Sequence, residues 1–321
     1  MDAQLLVDSL RNPALLFFML GILAVRVNSD LEIPSNSSKF IALYLLFSIG
    51  FKGGQELSHS AFNLEIIWSL AFGVLLAVLI PIYSFVLLRK KFGTQNAGAI
   101  AAAYGSVSAV TFVTAVSFLE MQQVDFGGHM VAVMAMMEAP SIIVGVLLIS
   151  FFAGGKKTEE APSISSLFKH ALTNGSVLLI LGSLTIGYLA SDAQAEGILP
   201  FTTDIFKGFL AVFLLDMGIT SGRKISALLE GGWTPTVFAV AMPLFNGITV
   251  ALLSGFVTQD IGNRFLFAIL AASASYIAVP AAMKLAAPKA NPGLYLPMAL
   301  AITFPLNITL GLPIYMMVVS A

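Results

Sequence analysis

The run Leu70-Ala-Phe-Gly-Val-Leu-Leu-Ala-Val-Leu79 contains no polar side chain and lies within a longer, largely apolar stretch, residues 62–88. About 20 apolar residues are enough for an α-helix to cross the hydrocarbon core of a bilayer. A transmembrane β-strand would alternate apolar and polar side chains, and this run does not alternate. Residues 62–88 are therefore predicted to form a membrane-spanning helix.

The composition of the whole chain agrees with this prediction. Of its 321 residues, 58% are hydrophobic and only 10% are Asp, Glu, Lys or Arg, whereas soluble domains carry about 25% charged residues. The mean hydropathy is +0.92. A formal net charge of -1 offers no basic surface for nucleic acid, and the absence of cysteine excludes disulfides and thiolate chemistry. An integral membrane protein is predicted.

The apolar stretches predict an all-α membrane protein with ten transmembrane helices. The candidate spans are 12–27, 38–54, 62–88, 96–119, 128–152, 171–190, 203–222, 233–257, 263–287 and 293–320. Cytoplasmic loops are enriched in Lys and Arg, and 12 of the 16 Lys and Arg residues fall on the inside if both termini lie outside. The expected location is the inner (plasma) membrane, as a multi-pass protein with both termini outside.

The longest polar segment, residues 153–170, is interpreted as a cytoplasmic linker between two groups of five spans, residues 1–152 and 171–321. Because each half has an odd number of spans, the second half must enter the membrane from the opposite side. Gly50-Phe-Lys-Gly-Gly54 matches Gly218-Ile-Thr-Ser-Gly222, 168 positions later. Such matches predict two inverted repeats, which are characteristic of secondary transporters. The alternative is that small residues are common wherever membrane helices touch.

Spans four and nine each carry a polar segment at mid-membrane depth. These are Gly105-Ser-Val-Ser-Ala-Val-Thr111 and Ser273-Ala-Ser-Tyr-Ile-Ala-Val-Pro280. Gly, Ser, Thr and Pro weaken a helix, and irregular backbone in a membrane must line protein or a watery cavity. A broken helix offers N–H groups to an anion and carbonyls to a cation. The alternative is that the hydroxyls bond to their own helix or hold neighbouring helices together.

Three of the ionisable residues within or close to the predicted spans stand out. Glu138 is inside span five, Asp216 is inside span seven, and Lys52 is near the end of span two. Charges inside a membrane are costly, so each is a candidate functional residue. Glu138 is expected to bind a cation or carry a proton. Asp216 is expected to do the same or to pair with Lys52, whose alternative is to extend to the membrane surface.

Catalytic motifs are missing from the sequence, so an enzyme is not expected. There is no Walker-type Gly-rich loop, no Gly-x-Ser-x-Gly, no His-Glu-x-x-His and no Asp-rich magnesium motif. The three histidines have no metal-ligand spacing, so no cofactor is expected beyond a sodium ion as coupling ion. A passive channel stays open as an alternative, although no ring of like charges suggests a selectivity filter.

At the two broken-helix segments the chain resembles the sodium-dependent bicarbonate transporters of the cyanobacterial SbtA type and their bacterial relatives. The resemblance extends over nearly the whole chain. Its best stretches are Ile49–Gly54, Gly105–Thr111, Leu119-Glu120, Glu138–Pro140, Met217-Gly218, Ala271–Ser273 and Ala290–Pro292. It implies a core domain and a gate domain with elevator-like motion, a homotrimer, and a bicarbonate site between the broken helices with sodium beside it.

The resemblance also implies particular site residues. For substrate binding these are Gly105, Ser106, Val107, Ser108, Ser273, Ala274 and Ser275. For ion coupling they are Thr111, Glu138, Asp216, Tyr276 and Lys52. Glu138 takes the place of an Asp that precedes a Pro in the better-known relatives. Tyr276, however, stands where those relatives have an intramembrane Asp, and a carboxylate is the obvious ligand for sodium.

The leading hypothesis is a secondary active transporter that imports bicarbonate, or a similar small anion, together with sodium. One alternative is a proton-coupled transporter of another small carboxylate or anion, with the proton on Glu138 or Asp216. Another is a passive anion channel. The resemblance also implies a PII-like regulatory partner, although residues 153–170 are shorter than the cytoplasmic insertion of the cyanobacterial proteins.

Overall fold

The computed structural model describes residues 11–60, 63–152, 169, 173–230 and 232–321, and it contains helices but no strand in these ranges. The helices are α1 (Pro13–Arg26), α2 (Ser35–His59), α3 (Leu64–Gly105), α4 (Ala109–Gln122), α5 (His129–Phe152), α6 (Gly175–Leu189), α7 (Asp192–Glu196), α8 (Phe206–Glu230), α9 (Trp233–Leu253), α10 (Ile261–Ala272), α11 (Ala278–Ala286) and α12 (Pro292–Val319). Short π-helical turns lie within α12 and just before α8.

Several of these helices are long and apolar enough to cross a membrane. Among the described residues there are five such segments, namely Leu64–Gln122, His129–Phe152, Pro200–Ile225, Trp233–Phe256 and Pro292–Val319. The apolar helices α1, α6 and α10 are shorter, with 14, 15 and 12 residues. The prediction of an all-helical membrane protein is confirmed. The count of ten spans stays a prediction, and the predicted linker lies outside the described residues apart from Lys169.

Two interruptions divide the long helical segment Leu64–Gln122. At Gly93 the backbone takes φ 75° and ψ 165°, a conformation that glycine adopts without the steric cost of a Cβ atom. The chain folds back at this point, and residues 94–105 return so that Gly105 packs against Pro81. The second interruption is the non-helical stretch 106–108. Its last residue, Ser108, caps the start of α4 because its side-chain oxygen accepts a hydrogen bond from the Thr111 backbone N–H at 3.2 Å. A matching stretch, 273–277, separates α10 from α11.

Two helix pairs pack closely through facing glycines. Where α1 crosses α8, a Cβ atom at Gly21 would clash with the Leu215 carbonyl, and one at Gly218 would clash with the Phe18 carbonyl. Where α2 crosses α6, Gly54 and Gly187 form the same kind of contact. Small residues let membrane helices approach until their backbones touch, which maximises dispersion contacts in the absence of a hydrophobic driving force.

The remaining long helices surround the two interrupted ones. The two legs of α3 pack along α5, and α9 packs along α10, with α12 against both. Residues on either side of the two interruptions are almost all buried, including the Ala97–Gly105 leg and α10 from Phe265 to Ala272. Residues 106–108 and 273–275 are buried by protein, as an irregular backbone at membrane depth requires, whereas Tyr276 is partly exposed and Ile277 is 46% exposed.

Candidate functional site

The two non-helical stretches meet and hydrogen-bond to each other. The backbone N–H of Ser275 donates to the Ala103 carbonyl at 2.8 Å, and the backbone N–H of Ser108 donates to the Ser273 hydroxyl at 3.0 Å. We call this junction, residues 103–108 and 273–277, the crossing. Because each stretch satisfies polar groups of the other, neither could keep its position alone.

Asparagine side chains from neighbouring helices hold the carbonyl end of α10. The Asn246 side-chain amide donates to the Ala271 carbonyl at 3.1 Å, and the Asn307 amide donates to the Ala272 carbonyl at 2.8 Å. Tyr83 fixes Asn246 by donating to its side-chain oxygen at 2.5 Å. Two carbonyls that would otherwise lack partners inside the membrane are thereby satisfied.

The opposite side of the crossing is tightly packed around Gly105. A Cβ atom there would clash with the side chains of Pro81 and Ser141. The Ser141 hydroxyl donates to the Ala102 carbonyl at 3.0 Å, one turn before the helix ends. The Ser106 hydroxyl is fully buried and has no hydrogen-bond partner within the described part of the chain. Most buried polar groups in proteins have a hydrogen-bond partner, so this hydroxyl is an exception.

A small cavity of about 20 Å³ lies against the crossing. Its walls are formed by Val107, Ser108, Ala109, Glu138, Ser176, Ser275, Tyr276 and Ile277. This volume is enough for about one water molecule. The partly buried carboxylate of Glu138 has neither a hydrogen bond nor an ion pair to any described residue. Such a carboxylate inside a membrane needs a proton or a cation for compensation.

A much larger cavity of about 540 Å³, which we call the vestibule, borders the same crossing. The residues that matter here are Ser38, Lys39, Asp216, Arg223, Tyr276 and Ile277. Asp216 is only 9% exposed and accepts a hydrogen bond from the Ser38 hydroxyl. Arg223 lies within 3.8 Å of Glu32 rather than against Asp216. The vestibule therefore combines an apolar wall with a few charged groups.

A second cavity of about 330 Å³ lies at the other end of α2 and α4. Here Lys52 forms an ion pair with Glu120 at 2.6 Å, and both side chains are about one-third exposed. The prediction that Lys52 pairs with Asp216 is wrong. Ser38 contacts Asp216, and Lys52 lies 14 residues further along the same helix, which corresponds to roughly 21 Å.

Comparison with known families gives a match over residues 13–320, nearly the whole chain, to the Na⁺-dependent bicarbonate transporter superfamily. The chain belongs to this superfamily. A comparison with curated proteins gives no match. Membership in a transporter family confirms the prediction that the protein transports a solute across a membrane and is not an enzyme.

The structure of this transporter brings most of the predicted site residues together. Val107, Ser108, Ser275, Tyr276 and Glu138 line the small cavity. The other predicted substrate residues are buried in the crossing beside it. They are Gly105, Ser106, Ser273 and Ala274, and Thr111 follows in the first turn of α4. Two predicted coupling residues lie elsewhere, since Asp216 lines the vestibule and Lys52 lines the second cavity.

Sequence reasoning missed three residues of the transporter that support this site. Asn246 and Asn307 are amides inside predicted spans, and Ser176 borders both the small cavity and the vestibule. An Asn at membrane depth is costly unless it is hydrogen-bonded. The two asparagines could therefore have been recognised as hydrogen-bond partners of an interrupted helix. The sequence does not show which of the two interrupted helices they contact.

Proposed function

We propose that the protein is a secondary active transporter that imports bicarbonate together with sodium. The observation that carries this proposal is the unpaired Glu138 carboxylate in a water-sized cavity at the crossing of two broken helices. The hydroxyls of Ser108 and Ser275 line the same cavity. Hard cations prefer carboxylate, hydroxyl and carbonyl oxygens, so this group of oxygens suits sodium.

The size of the small cavity supports separate places for the two ions. About 20 Å³ accommodates one small cation or one water molecule, whereas bicarbonate has four heavy atoms. We infer that the anion binds beside this cavity, in the vestibule, where the vestibule borders the crossing at Tyr276 and Ile277. A cation next to Glu138 would then lower the electrostatic cost of placing an anion there.

An inverted repeat with alternating access fits several features of the fold. The packing of α1 on α8 and that of α2 on α6 use facing glycines at equivalent positions, since Gly21 and Gly187 differ by 166 residues and Gly54 and Gly218 by 164. The two interruptions, 106–108 and 273–277, are separated by a similar interval. These correspondences support two five-helix repeats, 1–152 and 171–321, with a core that moves against a gate.

The arrangement of the cavities supports a carrier over a passive anion channel. Among the described residues, the vestibule and the second cavity share no lining residue, and only the vestibule borders the crossing. Lys39 and Arg223 line the vestibule, and both fall on the predicted cytoplasmic side. We therefore assign the structure to an inward-facing state, in an inner membrane with both termini outside. The homotrimer and the PII-like partner stay predictions from the family resemblance.

Proton coupling is the second candidate, and a specific observation favours it. Asp216 is buried at membrane depth, and its described hydrogen-bond partner is the neutral Ser38 hydroxyl. A carboxylate in that setting can exchange a proton with the vestibule. In this variant Asp216 rather than Glu138 would change its charge during transport.

Uptake of labelled bicarbonate into proteoliposomes distinguishes these possibilities. We expect accumulation above the external concentration with an inward sodium gradient and none with an equal potassium gradient. Glu138→Gln should lower the sodium-driven rate by about tenfold or more, since it removes the charged ligand proposed for sodium and a loss of about 1.4 kcal/mol in binding is tenfold. Glu56→Gln, in the second cavity, serves as the matched control.

The other outcomes each contradict a part of the proposal. Accumulation driven by a proton gradient alone, and lost in Asp216→Asn, would replace sodium by protons. Equilibration without accumulation under every gradient would indicate a channel. Absence of bicarbonate uptake with retained uptake of another small anion would change the substrate.

A further inference from the structure

Four residues form the wall between the vestibule and the small cavity, because they line both. They are Ala109, Ser176, Tyr276 and Ile277. Tyr276 has the largest side chain of the four. Its ring is therefore the main barrier between the vestibule on one side and the Glu138 carboxylate in the small cavity on the other.

The side chain of Tyr276 packs against buried apolar side chains, and its hydroxyl interacts with the Ser108 side chain. Its ring packs edge-on against Phe304, with ring centroids 6.2 Å apart and planes at 70°. Its hydroxyl donates to the Met217 sulfur on α8 at 3.8 Å, and a thioether is a weak acceptor. The backbone around Tyr276, residues 273–277, is not helical. To swing into the vestibule, the ring must lose the hydrogen bond to Met217, the interaction of its hydroxyl with Ser108 and the aromatic contact with Phe304.

We propose that Tyr276 is the gate between the vestibule and the small cavity and that it determines which ions reach Glu138. With the ring in place, the space behind it admits about one water-sized species. Bicarbonate and hydrated cations stay in the vestibule, and a cation must lose most of its water to pass. Contact between the Tyr276 hydroxyl and Met217 ties this gate to α8, the helix that also carries Asp216.

This inference uses the proposed function only for the identity of the ion, since the gate itself is defined by the two cavities. It can be tested without any transport measurement. The natural chain has no cysteine, so a single introduced cysteine reports its own exposure. Ser275→Cys places a thiol in the small cavity, and no side-chain hydrogen bond of Ser275 is lost among the described residues. Thr220→Cys places one in the vestibule.

The experiment measures the rate at which a small cationic methanethiosulfonate reagent modifies each thiol in purified protein, in sodium-free buffer, by intact mass. In the presence of Tyr276 we expect Ser275→Cys to react slowly, and Thr220→Cys to react quickly. Adding Tyr276→Ala should accelerate Ser275→Cys by at least about tenfold, since minor open states are typically populated at 10% or less. Adding Tyr276→Phe should leave the rate within about threefold, because the ring remains.

Equal modification rates for Ser275→Cys with Tyr276 and with Tyr276→Ala would contradict the proposal that Tyr276 is a gate. Rapid modification of Ser275→Cys while Tyr276 is present would contradict it as well. Thr220→Cys must react equally in all backgrounds, which confirms that the vestibule is intact. If Tyr276→Ala is not monodisperse on gel filtration, Tyr276→Leu provides the same comparison with a smaller expected acceleration. Failure of sodium-dependent uptake with a positive labelling result would refute the proposed function and leave the gate standing.

Discussion

The vestibule and the second cavity lie against opposite ends of the same two helices, α2 and α4, yet they differ in what they reach. The vestibule borders the crossing through Tyr276 and Ile277, whereas the second cavity is lined by no residue of the crossing. Its two charged walls are joined by the ion pair between Lys52 and Glu120. One end of the helix pair is therefore open to the candidate site, and the other is closed.

Apolar side chains separate the two spaces. Leu45, Leu46, Ile49, Val113 and Val116 are all buried between them, none more than 5% exposed. An apolar layer of this kind excludes ions because none of its atoms can replace their water. Of these two cavities, as lined by the described residues, the vestibule borders the crossing and the second cavity does not, which agrees with the proposed alternating-access carrier.

The largest effect is expected from a change at the crossing itself, on which the distinction between the cavities depends. In Gly105→Ala the new methyl group would clash with Pro81 and Ser141. Overpacking of this type costs about 1–3 kcal/mol in the free energy of unfolding, and we expect transport to be lost as well. Thermal unfolding in detergent measures the first effect.

The matched control for this change is Gly182→Ala, where a Cβ atom meets nothing within 4 Å. It should leave stability unchanged or raise it by up to about 1 kcal/mol, because Gly182 lies inside α6 and alanine is favoured over glycine in a helix interior. Equal unfolding temperatures for the two variants would show that the crossing is not tightly packed at Gly105.

A smaller effect is expected from a change confined to the vestibule. Ser38→Ala removes the hydroxyl that donates to Asp216. Since water in the vestibule can partly replace this donor, we expect a loss of about 1 kcal/mol in stability. Ser58→Ala, which removes an exposed hydrogen bond to the Gln55 carbonyl, should be nearly neutral. If the two serine variants unfold at the same temperature, Ser38 does not support Asp216.

The smallest effect is expected from a change confined to the second cavity. Lys52→Met removes the ion pair with Glu120, whose partly exposed charges are worth up to about 1 kcal/mol. Opening of this cavity should then increase by up to about fivefold, measured as the reaction rate of Val116→Cys with a thiol reagent. The double variant Lys52→Glu with Glu120→Lys should restore the slow rate.

Lys39→Met provides the control for this prediction, because it removes a lysine from the vestibule instead. The Val116→Cys rate should not change. An equal increase in both lysine variants would mean that general surface charge, rather than the ion pair, keeps the second cavity closed.

The sequence was informative where a residue type is unusual for its surroundings. Polar residues inside apolar spans predicted both helix interruptions. The carboxylate of Glu138, inside a predicted span, predicted that this residue has a functional role. The structure joins these features at one cavity. The partner of Lys52 could not be predicted, because the sequence does not show which helices pack together. For the same reason the contacts of Asn246 and Asn307 with the end of α10 required the structure.

Sodium binding beside Glu138 is the central claim, and a thermal-stability titration of the purified protein tests it most directly. A ligand that binds only the folded state stabilises it by RT ln(1 + [L]/Kd), so sodium chloride should raise the unfolding temperature saturably relative to choline chloride. We predict that Glu138→Gln abolishes this increase and that Glu56→Gln, in the second cavity, retains it. An undiminished sodium effect in Glu138→Gln would contradict the account.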